Sequence, residues 1–134
     1  MDRLFLDANV LFSASYSPNA HYRSLWGATD VELVTTAYAI AETQRNLCDA
    51  LMLTRLSELR KTVKTVPAGA VRPLSIDLPE KDRPILLAAI GNKCTHLLTQ
   101  DLRHFGKYFG SKVEGVLILR PDAYLRARKS KPTD

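Results

Sequence analysis

Short apolar runs that stop abruptly at a polar residue constrain this chain more than anything else in it. Leu4-Phe-Leu6 halts at Asp7, Leu33-Val34 at Thr35-Thr36, and Leu97-Leu98 at Thr99. Arg3–Asp7, Glu32–Thr36, Thr62–Val66, Thr95–Thr99 and Gly115–Leu119 are all of strand length and too short for helices. The segments between them change period. Val10, Leu11 and Ala14 follow helical spacing until Ser17-Pro18-Asn19 interrupts it, and a second helix carrying Leu25 and Trp26 is expected after Pro18. From Ala37, the residues Ile40, Ala41, Leu47, Cys48 and Leu51 fall near one helical face, and a further helix carries Leu51, Leu56 and Leu59. Pro79 and Pro84 bracket the start of another, which runs through Ile85, Leu86, Ala89 and Ile90 to a cap near Gly91-Asn92. A last helix follows Pro121. Strands alternating with helices predict an α/β domain with a central, mostly parallel sheet flanked by helices on both faces.

A chain of 134 residues suits one such domain. Residues 1–125 are assigned to it, and 126–134, with Arg126, Arg128, Lys129 and Lys131, to a basic, flexible tail. A hydrophobic share of 46% with 25% charged residues excludes a disordered chain. No apolar run spans a bilayer and no signal peptide is evident, so a cytoplasmic protein without a membrane partner is expected. Cys48 and Cys94 sit in apolar helical patterns and read as reduced core residues. The formal net charge of +5 permits a polyanionic partner without requiring one. GxSxG, P-loop and Cys/His patterns are missing, which removes the hydrolase and nucleoside-triphosphatase classes that depend on them.

Four acids stand where an α/β sheet places its chemistry. Ligands gather at the carboxyl ends of the strands, and Asp7 and Asp101 each come just after an apolar run. Glu42 lies about one and a half turns into the helix after the second strand. Asp82 stands at the start of the helix bearing Ile85. Carboxylates gathered at one edge repel unless a cation lies between them, and hard oxygen donors suit Mg²⁺ or Mn²⁺. Each acid also has a plain structural role open to it. Asp7, Asp82 and Asp101 suit helix caps, and Glu42 could pair with Arg45.

The ordered motifs resemble the PIN-domain family, nucleases that include the toxins of toxin–antitoxin pairs and RNA-processing factors. Leu4-Phe-Leu-Asp-Ala-Asn-Val-Leu11 is similar to its opening strand and D-x-N motif. Ala41-Glu-Thr-Gln-Arg-Asn-Leu47 and Glu80-Lys-Asp-Arg-Pro-Ile-Leu-Leu-Ala-Ala-Ile90 resemble the second and third segments. Leu97-Leu-Thr-Gln-Asp-Leu-Arg-His-Phe105 resembles the fourth, where glycine is frequent in place of Gln100. The likeness runs from Arg3 to about Tyr124. It implies a metal site made by Asp7, Glu42, Asp82 and Asp101, with Asn9 and Thr99 as supporting polar groups.

On that resemblance the expected activity is Mg²⁺- or Mn²⁺-dependent hydrolysis of RNA phosphodiester bonds, by one ion or two. The resemblance also implies a cognate antitoxin and a homodimer as partners. A non-catalytic module binding RNA or protein, and a housekeeping processing nuclease, are the alternatives. Arg45, Lys81, Arg83 and Arg103 adjoin the acids and are candidates for phosphate contacts, or else for local ion pairs. His104 is a further candidate for substrate contact or proton transfer, against packing as the commoner role. Tyr22, Trp26 and Tyr38 could stack on bases, although their usual burial favours the core or an interface. A side chain at Gln100 is expected to alter the turn or narrow the entrance.

Overall fold

The computed structural model describes residues 1–18 and 21–130. Its elements are β1 (Asp2–Leu6), α1 (Ala8–Tyr16), a 3-10 helix (His21–Gly27), β2 (Val31–Thr35), α2 (Ala37–Asn46), α3 (Ala50–Arg60), β3 (Val63–Thr65), α4 (Arg83–Gly91), β4 (His96–Leu98), α5 (Leu102–Phe105), a second 3-10 helix (Gly106–Tyr108), β5 (Lys112–Val113), β6 (Val116–Leu119) and α6 (Pro121–Ser130). The sheet has six strands in the order β3-β2-β1-β4-β6-β5. All pairings are parallel except β5 with β6, which close a hairpin through Glu114 and Gly115. Both turn residues have positive φ, the geometry that matches a tight hairpin to strand twist.

Successive side chains of a strand point to opposite faces, and the two cores follow that rule. Phe5, Val34, Leu97 and Ile118 pack with Ile85, Leu86, Ala88 and Ala89 of α4 on one face. Leu4, Leu6, Leu33 and Leu98 pack with Val10 and Leu11 of α1, Ile40 of α2, Leu56 of α3 and Tyr124 of α6 on the other. Fully burying one such Leu or Phe is worth roughly 1.5–3 kcal/mol, so each face supplies a substantial part of the stability. The expected α/β architecture with helices on both faces is therefore present. Among the described residues no helix is long and apolar enough to cross a membrane.

Several local expectations are corrected. The helical face predicted beyond Ala37 is cut at Leu47-Cys48-Asp49, because Asp49 caps a new helix by accepting from the Met52 N–H at 2.8 Å. Ala41, Cys48 and Leu51 consequently face solvent, and of the two cysteines only Cys94 is buried. The segment after Pro18 is 3-10 rather than α-helical, and Asn19 lies outside the described residues. Helix α6 continues to Ser130, so the domain does not give way to a tail at residue 126. Arg128 pairs with Asp30 and donates to the Tyr124 hydroxyl, and Arg126 pairs with Asp122 one turn earlier. Lys131 and the residues after it lie outside the described residues.

The order of strands sets the place of the site. From β1 the chain builds outward to β2 and β3, and later builds the other way through β4 and β6. The reversal lies between β1 and β4, where the carboxyl ends of adjacent parallel strands open a crevice. Asp7 follows β1 there, and Thr99 to Asp101 follow β4. The connection from β3 to α4 crosses one face with Gly69 so close to the Leu87 carbonyl that a Cβ would collide with it, and it delivers Asp82 to the same edge.

Candidate functional site

The end of β1 is fastened before any ligand is considered. The Asp7 N–H donates to the Leu98 carbonyl at 3.1 Å, continuing the β1–β4 pairing past the strand. Thr35 Oγ1, at the end of β2, donates to the Leu6 carbonyl at 2.8 Å. Thr43 Oγ1, buried on α2, contacts the Ala8 carbonyl at 3.2 Å and that of Ala39 at 2.8 Å. These buried hydroxyls hold α2 against the start of α1, which places Glu42, the residue before Thr43, beside Asp7.

Asp7 is only 4% exposed. Its Oδ1 accepts from the Ala8 N–H at 2.7 Å, and its Oδ2 accepts from Thr99 Oγ1 at 2.8 Å and from Asn9 Nδ2 at 3.3 Å. Asn9 Nδ2 also reaches Thr99 Oγ1 at 3.2 Å, and the Asp101 N–H donates to that hydroxyl at 3.1 Å. Asn9 and Thr99 are thus both supporting groups of Asp7. Burial pushes the Asp7 carboxyl up to about 6, against the Thr99 and Ala8 hydrogen bonds that oppose the rise, while Glu42 and Asp82 add to it.

Asp82 and Asp101 differ in how they are held. Asp101 is a true cap, accepting from the His104 N–H at 3.0 Å with Oδ1. Its Oδ2 is 2.9 Å from His104 Nδ1 in hydrogen-bonding geometry. Asp82 occupies the N-cap position of α4 but makes no capping bond through its side chain. Its Oδ2 is buried without a hydrogen bond, although His104 Nδ1 lies 2.9 Å away. Burial pushes the Asp82 carboxyl upward, Asp101 adds to this, and His104 and Lys81 oppose it.

One cleft of about 410 Å³ is lined by Asp7, Glu42, Asp82 and Asp101 together. The four acids span residues 7 to 101 of the chain and meet only through the fold. The charge is inward-facing and incompletely compensated: a buried carboxylate with a raised pKa, and a neighbouring buried oxygen that has His104 Nδ1 close by but no hydrogen bond. Both are conditions that a bound divalent cation relieves. Donor atoms of Asp82, Asp101 and His104 fall within 4.8 Å of one another, close enough to share one ion, whereas Asp7 and Glu42 line the same cleft outside that group. Neither a family model nor a curated protein matches this chain.

The remaining candidates separate. Lys81 lines the acid cleft. Arg103 lines a neighbouring groove with His104 and Lys107, and Arg83 lines a separate, mainly apolar hollow with Gly69, Pro84 and Leu87. Arg45 is exposed at the end of α2, and no ion pair joins it to Glu42 among the described residues. Gln100 does not line the cleft. Its Nε2 donates to the Asn9 carbonyl at 3.1 Å and to Ser13 Oγ at 2.8 Å, and its N–H donates to Asn9 Oδ1 at 2.9 Å. Gln100 is a brace between the β4 loop and α1, not a constriction. Phe12 and Asn46 line the cleft and were not singled out for it by sequence, and Tyr38, one of the three aromatics considered for base stacking, lines it too; Tyr38 and Asn46 stand four residues to either side of Glu42, on its helical face.

Proposed function

We propose that this chain is a Mg²⁺- or Mn²⁺-dependent endoribonuclease of the PIN type, acting as the toxin of a toxin–antitoxin pair. The single observation that carries the reading is the convergence of Asp7, Glu42, Asp82 and Asp101 on one cleft at the reversal point of the sheet. Four carboxylates around a cavity form a hard, oxygen-rich donor set of the kind these ions prefer. A divalent cation held there supplies Lewis acidity, lowering the pKa of a water and offsetting charge on the phosphate.

The protein's own groups divide the remaining work. Thr99 and Asn9 fix the direction of the Asp7 carboxylate, and His104 fixes that of Asp101. Lys81, at the edge of the cleft, attracts the phosphate backbone toward carboxylates that would otherwise repel it. Gln100 holds the β4 loop on α1 so that Asn9 stays in place.

The test is cleavage of an end-labelled single-stranded RNA with Mg²⁺, with Mn²⁺ and with EDTA, by wild type and Asp7→Asn. Metal-dependent internal cuts that vanish in the variant are expected; full activity in Asp7→Asn, with the fold intact by circular dichroism, would sink the assignment. Calorimetry of wild type and Asp101→Ala with Mn²⁺ separates the enzyme from a binding module, since a module without metal chemistry takes up no ion in either. Growth arrest on expression, relieved by the product of an adjacent reading frame, separates a toxin from a housekeeping processing nuclease and identifies the antitoxin. Light scattering addresses the homodimer.

A further inference from the structure

Of the three aromatic residues that sequence alone left between core and base stacking, two are accounted for by the fold. Trp26 donates its indole N–H to the Leu59 carbonyl at 3.0 Å and packs, with Tyr22, against the core beneath α1 and α3. Tyr38 does the opposite. It stands in the first turn of α2, 48% exposed, and lines the acid cleft. Thr36 caps that helix by accepting from the Ala39 N–H, and Thr43 ties it to Ala8, so the Tyr38 backbone is fixed relative to the acids. On the same helical face follow Glu42, one turn on, and Asn46, two turns on.

An exposed aromatic ring at a fixed place beside a ring of carboxylates suits one kind of ligand group. It must be flat, apolar on its face and uncharged, yet attached to something a metal-binding cleft can accept. A nucleobase on a phosphodiester chain meets all of these conditions, and only an unpaired base leaves its face free for the ring. Stacking is also insensitive to the acids' negative charge, which weakens every contact to the phosphates.

We propose that Tyr38 is the stacking platform for an unpaired base next to the bond that is cut, making it a substrate-binding residue of the cleft that selects for unpaired strands. The inference rests on the ribonuclease reading above. Stacking of one base is worth roughly 5- to 150-fold in affinity by alanine substitution.

The experiment compares wild type, Tyr38→Ala and Tyr38→Phe. Dissociation constants are measured by fluorescence anisotropy for a short unstructured RNA and for the same strand carrying abasic sites. Ca²⁺ replaces Mg²⁺, and strand integrity is checked on a gel. Tyr38→Ala is expected to weaken the base-bearing strand by a factor in that range and to leave the abasic strand unchanged, while Tyr38→Phe stays within about twofold of wild type. Equal loss on both strands, or loss on neither, overturns the proposal. If wild type cuts RNA in Mg²⁺ and Tyr38→Ala binds both strands as wild type does, the stacking role alone fails. If wild type neither binds nor cuts RNA, the ribonuclease reading fails with it.

Discussion

Replacing Asp7 by Asn should make the metal-free protein more stable relative to wild type as the pH rises. Burial holds the folded-state pKa of Asp7 near 6 against an ordinary 3.8. The folded protein therefore binds that proton more tightly than the unfolded chain. The stability this confers is complete below pH 3.8 and is lost as the pH climbs through about 6. At about 1.36 kcal/mol per pH unit, the gap corresponds to a loss of about 3 kcal/mol by pH 7.5, most of it above pH 4. Asparagine cannot ionise and escapes that loss. It also puts an amide where the carboxylate accepted from Thr99 and Asn9, but that cost of about 1 kcal/mol does not depend on pH and cancels from the slope. Asp82 and the other acids titrate in both proteins and largely cancel as well. The assay is thermal unfolding in EDTA from pH 4 to 7.5, followed by calorimetry. The melting temperature of Asp7→Asn minus that of wild type should grow by roughly 10 °C across that range. Adding Mg²⁺ or Mn²⁺ at pH 7.5 should then stabilise wild type and leave the variant unmoved. A difference that stays flat with pH, or that grows in favour of wild type, refutes the account of Asp7 as a buried, charge-strained carboxylate.

Other outcomes follow from the same contacts. Thr99→Val removes a fully buried hydroxyl that serves Asp7, Asn9 and the Asp101 N–H, and should cost about 1–3 kcal/mol in urea unfolding while weakening Mn²⁺ binding by calorimetry. Gln100→Ala breaks two side-chain braces and should lower stability by about 1–2 kcal/mol, yet leave mapped RNA cleavage sites unchanged, because the side chain does not line the cleft. Lys81→Ala should reduce the dependence of RNA affinity on salt by about one ion, whereas Arg45→Ala, exposed and away from the cleft, should not.

How much of this could be read from sequence varied with how local the cause was. The anticipated strands were legible because their apolar runs are compact and bounded by polar residues. β5 was not, since two residues, Lys112 and Val113, carry no period, and its hairpin turns through Glu114-Gly115 without the usual Asn or Asp. The break between α2 and α3 was hidden because Leu47, Cys48 and Leu51 continue a helical spacing that the Asp49 cap overrides. Asp7 and Asp101 were readable as caps, and both are. Asp82 looked an equally good cap, but its carboxylate is drawn into the cleft beside Asp101 and His104. That side-chain choice depends on partners 19 and 22 residues away in the chain. Tyr38 could not be told from Trp26 by residue type, because exposure is decided by what packs above a helix face.

The bond from the Asp7 N–H to the Leu98 carbonyl joins β1 to a strand made about 90 residues later. As the chain emerges from a ribosome, α1 and α2 can pack on β1 and β2 early, but the half of the cleft that carries Thr99 and Asp101 is still missing. Full assembly waits until β4 slots in beside β1, a long-range pairing of the slow kind. A nascent chain therefore cannot assemble all four acids until Asp101 has been made. A truncation anywhere before Asp101 yields a product lacking one corner of the site, whatever its remaining structure.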